Sequence, residues 1–140
     1  MEMVFQIEKD DYDRAGMASS KIKKTLAQLG LDNGVIRRVA VAAYEAEINL
    51  VIHSDGGTMA VEIMPDKIEI DVEDQGPGIA DVNKAMEEGF STASVVAIEM
   101  GFGAGMGLPN MKKCADEFQI QSALGVGTKI EMKFNFAGGR

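Results

Sequence analysis

The apolar positions change period several times along the chain, and each change marks an element. Met3 to Glu8 alternates as a short first strand. Ala15, Ala18, Ile22, Leu26 and Leu29 then recur at helical spacing, with Lys21, Lys23 and Lys24 elsewhere on the wheel. Asp10 and Asp11 are candidate N-caps for this helix, and Gly30 is its stop. Asp32-Asn33 opens a longer helix from about Val35 to His53. After the turn Ser54-Asp55-Gly56-Gly57, Thr58 to Met64 alternates, and Pro65-Asp66 turns the chain again. The next strand sets Ile68, Ile70 and Val72 on one face and Lys67, Glu69, Asp71 and Glu73 on the other. Ala80 to Glu88 predicts a short helix, and Gly89 to Phe102 has no settled period. Leu108, Met111, Ala115 and Phe118 predict a helix ending near Asp116. Phe118 to Leu124, a Gly125-Val126-Gly127 turn and Thr128 to Phe136 predict a hairpin, with Gly138-Gly139-Arg140 frayed.

A strand with one wet face belongs to a sheet that helices cover on one side only. The expected fold class is therefore α/β: a two-layer sandwich of a mixed, mostly antiparallel sheet with helices on one face. Asp74 continues the series Ile68, Ile70, Val72 and so faces the helices. Thr128 is likewise in phase with Ile130, Met132, Phe134 and Phe136. On the wheel of the long helix, Glu45 shares an arc with Val41, Ala42, Ile48, Asn49 and Ile52, while Glu47 points the opposite way. Glu45 and Asn49 are thus expected one turn apart on an apolar face, where a carboxylate is costly unless it is paired or used.

Two glycine clusters punctuate the second half: Asp74-Gln75-Gly76-Pro77-Gly78-Ile79 and Gly103-Ala104-Gly105-Met106-Gly107-Leu108. Glycines at this density let backbone approach a ligand closely. The second cluster runs into Pro109-Asn110-Met111, a helix start with Pro in its first turn, which presents free N–H groups to an anion. Neither cluster matches the G-x-x-x-x-G-K-[ST] phosphate loop or a dinucleotide fingerprint. The stretch between them is a candidate lid over a nucleotide. Asp74, acceptor-only when ionised, suits an exocyclic amine such as that of adenine.

Composition narrows the classes. The chain has 140 residues, 46% of them apolar, and predicts one domain spanning 1–140. A net charge of −8 disfavours nonspecific nucleic-acid binding and makes a metal ion expected at any bound phosphates. One cysteine, Cys114, excludes a disulfide framework and a cysteine zinc site. With no apolar run long enough for a bilayer and no signal-peptide pattern, the expected location is cytoplasmic, away from membranes.

The order of these features carries a family resemblance: Glu-x-x-x-Asn (Glu45, Asn49), Asp-x-Gly-x-Gly-Ile (Asp74 to Ile79), a variable lid, Gly-x-Gly-x-Gly-Leu (Gly103 to Leu108), and Gly127-Thr128 entering the last strand. It resembles the N, G1 and G2 boxes of the GHKL ATPase superfamily with its Bergerat fold. Within it, Glu73 to Ile79, Gly89-Phe90-Ser91-Thr92 and Gly105 to Pro109 look most like the small bacterial serine/threonine kinases of partner-switching modules. These are the RsbT-type switch kinases and the RsbW/SpoIIAB-type anti-sigma factors. The resemblance implies ATP and Mg²⁺ as cofactors. It implies that Glu45 is the general base and that Asn49 coordinates Mg²⁺. It implies that Asp74, with Thr128, reads the adenine amine. Gly76, Gly78 and Ile79 would pass the base, and Gly103, Gly105, Met106, Gly107 and Leu108 would cradle the phosphates. The implied partner is a STAS-domain anti-sigma-factor antagonist, with a sigma factor or a PP2C-type phosphatase as further partners and a homodimer as one oligomeric option.

A second reading is an ATP-gated anti-sigma or partner-binding module with little or no kinase activity. It is favoured by the lack of any arginine between Arg38 and Arg140, where related anti-sigma kinases carry a lid arginine. A histidine-kinase catalytic half is disfavoured, because there is no dimerisation helix pair and the lone His53 sits at a helix end, where histidine caps or packs.

Overall fold

The computed structural model describes residues 1–52, 54–74, 76, 86, 107–123 and 125–136. The predicted helix at 80–88, the candidate lid, His53 and the chain end at 138–140 lie outside the described residues, apart from Met86. That side chain packs against the core.

The described chain forms β1 (Glu2–Ile7), α1 (Met17–Gln28), α2 (Asn33–Ile52), β2 (Gly57–Ile63), β3 (Lys67–Asp74), α3 (Gly107–Cys114), β4 (Glu117–Ala123) and β5 (Gly127–Asn135). The strands build one sheet in the order β1-β2-β3-β5-β4, and every ladder is antiparallel. The two-layer expectation holds. Ile68, Ile70 and Val72 of β3 and Ile130, Met132 and Phe134 of β5 are buried against helical residues Ile22, Leu26, Val39 and Leu50. The opposite face carries charge pairs: Lys129 bridges Glu73 on β3 and Glu131 on its own strand, and Lys133 bridges Glu69 on β3. Alternation at period two therefore sorts apolar from charged side chains across the sheet.

Helix ends follow local chemistry in one case and distant chemistry in another. At the end of α1, Gly30 adopts φ +76. Its N–H donates to the Ala27 carbonyl and that of Leu31 to the Leu26 carbonyl, a Schellman stop. The start differs from the expected one. Asp11 precedes only a short 3-10 turn, Tyr12–Arg14, and makes no side-chain cap, while α1 begins at Met17 behind a left-handed Gly16. Gly16 has no side chain with which to cap the helix.

The missing cap comes from Glu47. Its carboxylate accepts from the N–H groups of Gly16, Ala18 and Ser19 at 3.0–3.1 Å. Glu47 is 2% exposed, so the outward placement expected of it is wrong. The physical reason is that α2 is packed on three sides: the sheet, α1 and α3. Its buried face centres on Val39, Ala43, Ala46 and Leu50 and reaches Glu47. Val41, placed with Glu45 on an apolar arc, is 38% exposed, and Glu45 and Asn49 sit half-buried at the margin of the packed face.

Candidate functional site

The pairing of β3 with β5 places Asp74 beside the turn into the last strand. Asp74 Oδ1 accepts from the Thr128 N–H at 2.9 Å and from the Gly76 N–H at 3.0 Å. Among the described residues, no donor meets its second oxygen, Oδ2. Gly127 makes the arrangement possible: it holds φ +139, and a Cβ there would collide with the Asp74 carbonyl oxygen. Thr128 Oγ1 lies 2.8 Å from Ser122 Oγ on β4. The predicted convergence of Asp74, Gly76 and Thr128 is thus present. A carboxylate with one oxygen fixed by two backbone donors, and with no donor on the other among the described residues, fits an acceptor for an amine. The fixed oxygen prevents the carboxylate from turning away.

The first glycine cluster is tied to the end of α2. The Asp55 N–H donates to the Gly76 carbonyl at 3.1 Å, and Ser54 Oγ, buried, donates to Leu50 O. The Ser-Asp-Gly-Gly turn therefore links the helix carrying Glu45 and Asn49 to the cluster carrying Asp74.

On its other side α2 meets the first turn of α3. Asn49 Oδ1 lies 3.2 Å from the point a Cβ on Gly107 would occupy, so the absence of a side chain at 107 lets the chain lie against the Asn49 amide. Leu108 is buried and seats the helix start in the core. One turn on, Asn110 Nδ2 donates to Glu45 Oε2 at 2.7 Å. Asn110 is a site residue that sequence reasoning missed. The only signal was its place three residues past Gly107, which helix geometry brings to the face over α2. At the far end of α3, Arg38 donates to the Cys114 carbonyl, to Asp116 Oδ2 and to the Asn135 carbonyl, securing the helix over the sheet. Of the other residues expected in the site, Gly78, Ile79, Gly103, Gly105 and Met106 lie outside the described residues.

Partial burial, and then the carboxylates of Glu45 and Glu47, push the Tyr44 phenol up. Burial likewise pushes the Cys114 thiol up. No group of three or more His, Cys, Asp or Glu among the described residues could hold a metal unaided. The oxygen donors present suit a hard cation that completes its shell from phosphates and water, as Mg²⁺ does, and Asn49 Oδ1 fits that role. Among the described residues no acceptor meets the N–H groups of Gly107 and Leu108 at the start of α3, and such groups fit an anion (Pro109 has none to offer).

Comparison with known proteins shows the family and the fold. Residues 9–134 match the model of the histidine kinase-like ATPase domain. The serine/threonine-protein kinase RsbT of Bacillus subtilis is 34% identical over 120 residues, covering 82% of this chain and 84% of that protein. The anti-sigma F factor of Clostridium acetobutylicum is 32% identical, covering 98% of this chain and 94% of that one. Among solved structures, the RsbU and RsbW domains of Rv1364c from Mycobacterium tuberculosis superpose with a TM-score of 0.64 at 17% identity. That match covers 96% of this chain and 32% of the other, and it bears on the fold alone.

Proposed function

The chain belongs to the histidine kinase-like ATPase family, and from that premise we propose that it phosphorylates a serine or threonine of a STAS-domain anti-sigma-factor antagonist, using Mg·ATP. Its class is protein serine/threonine kinase of the bacterial partner-switching type, converting ATP and a protein hydroxyl to ADP and a phosphoprotein. The observation that carries the reading is the seating of the first turn of α3 directly on Glu45 and Asn49. A phosphate-binding helix start, a hard oxygen ligand and a carboxylate base then share one locus, and phosphoryl transfer needs positioning and charge neutralisation above all.

In this reading Asp74 Oδ2 accepts from the adenine amine while Thr128 supports that edge. Asn49 Oδ1 supplies one protein ligand to Mg²⁺, and the N–H groups at the start of α3 hold the phosphates. Bound Mg·ATP supplies the transferable phosphoryl group and the divalent charge. Glu45 would take the proton from the acceptor hydroxyl as its oxygen bonds to the terminal phosphorus and the bond from that phosphorus to the ADP oxygen breaks, releasing ADP. The protein acts in the cytoplasm, where ATP is abundant. Consistent with this, no helix among the described residues is long and apolar enough to cross a membrane.

The test is transfer of labelled phosphate from Mg·ATP to a panel of purified STAS-domain proteins, with the modified residue located by mass spectrometry. Glu45→Gln should keep nucleotide binding and lose about 10²-fold or more in transfer, the contribution typical of a general base. Transfer at the wild-type rate by Glu45→Gln would remove Glu45 from the chemistry.

One observation favours the second reading, an ATP-gated binding module. No arginine lies between Arg38 and Arg140, and Arg38 is committed to the end of α3. Nucleotide-dependent capture of a sigma factor without transfer to any STAS protein would select that reading.

A further inference from the structure

We propose that Asn110 is a positioning residue for the base: it holds one carboxylate oxygen of Glu45 so that the other faces the acceptor hydroxyl. The inference rests on the phosphoryl-transfer reading of Glu45. The contact is Nδ2 to Oε2 at 2.7 Å, the length of a charge-assisted hydrogen bond. It is the one hydrogen bond of the Glu45 carboxylate among the described residues.

An untethered glutamate samples several rotamers, and fixing it has an entropic cost that would otherwise fall in the reactive complex. Asn110 absorbs that cost beforehand. An amide is suited to the task because it donates without titrating, so it neither takes the proton from the base nor supplies one. Placement adds a coupling. Asn110 sits one turn beyond Gly107, whose backbone lies against Asn49. The helix start that would receive phosphate therefore also aims the base, and displacement of α3 would misalign metal ligand and base together.

The test uses ADP formation from saturating Mg·ATP by the whole chain, with water as acceptor. The water oxygen bonds to the terminal phosphorus, the bond from that phosphorus to the ADP oxygen breaks, and Glu45 takes the proton. Asn110→Asp and Asn110→Leu are compared with the parent, each alone and combined with Glu45→Gln. Asn110→Asp preserves shape while replacing the donor by an acceptor, so it guards against a packing defect in the leucine variant. The expected loss is about 10- to 100-fold in rate, the scale of a small misplacement at a reacting centre. Mg·ATP affinity should stay within about twofold, and the Glu45→Gln background should show no additional loss, because residues acting as a unit are non-additive.

A parental rate in both variants would overturn the inference, as would an equal loss in the Glu45→Gln background. A loss of rate that merely tracks loss of affinity would mark Asn110 as a structural contact and also overturn it. A parental rate in Glu45→Gln alone is a different result: the base assignment itself then fails, and this inference falls with it.

Discussion

Two glutamates two positions apart on α2 have opposite duties. Glu47 closes the N-terminus of α1 through three backbone N–H groups, and Glu45 faces α3 and the candidate site. A carboxylate on an apolar helix was visible in the sequence, but the wheel assigned the buried position to Glu45. The wheel describes one helix in isolation, whereas burial of Glu47 is imposed by α1 packing against that side. The usable signal lay elsewhere: Ala15-Gly16-Met17 offers α1 no side-chain cap, so a donor-rich helix start needed a distant acceptor. Replacing Glu47 by alanine strands three donors, two of them buried. It should lower stability by about 3 kcal/mol or more, read as a shift of the urea midpoint at unchanged slope. A shift under about 0.5 kcal/mol, the range of ordinary surface substitutions, would contradict the cap. Gly127→Ala should be destabilising too and should weaken nucleotide binding, because its Cβ meets the Asp74 carbonyl and its φ disfavours a side chain. Calorimetry with Mg·ATP measures the second effect.

Among elements, α2 organises the molecule by holding α1 on one side and α3 on the other while lying over the sheet. The strands were legible because period two survives in short segments, as in Ile68, Ile70, Val72 and Asp74. The phase of Asp74 and Thr128 was legible for the same reason. The contact of α3 with Glu45 was not, since it depends on how two helices cross rather than on either pattern alone. The far end of α3 gives a pH prediction. The Asn135 N–H, and then Arg38, hold the Asp116 carboxyl below the usual carboxylate range. A carboxyl depressed in the folded state contributes stability above its unfolded pKa of about 4, and that stability is lost as pH falls through the lower folded value. Asp116→Asn should therefore reduce stability at neutral pH and make the decline below about pH 4 shallower. Unfolding curves at a series of pH values decide this, and an unchanged acid slope would remove Asp116 from the account.

At the scale of the molecule, the sheet separates a charged outer surface from the face that the helices cover, and the candidate site residues fall in two groups, Asp74 with Thr128 at the strand ends and Glu45 with Asn49 against α3. The order of motifs marked these residues as candidates, because they fall at strand ends and helix starts. Local pattern could not supply how the turn at Asp55 ties the two halves together through the Gly76 carbonyl. A ligand that binds only the folded chain stabilises it by mass action, about 2.7 kcal/mol at a hundredfold excess over Kd. Mg·ATP should accordingly raise the unfolding temperature. Binding of Mg·ATP against Mg·GTP, by calorimetry on the parent chain and on Asp74→Asn, tests the central claim most directly. The parent chain should show a clear preference for ATP, and Asp74→Asn should abolish it. Equal affinity for the two nucleotides, or undiminished ATP binding by Asp74→Asn, would contradict it.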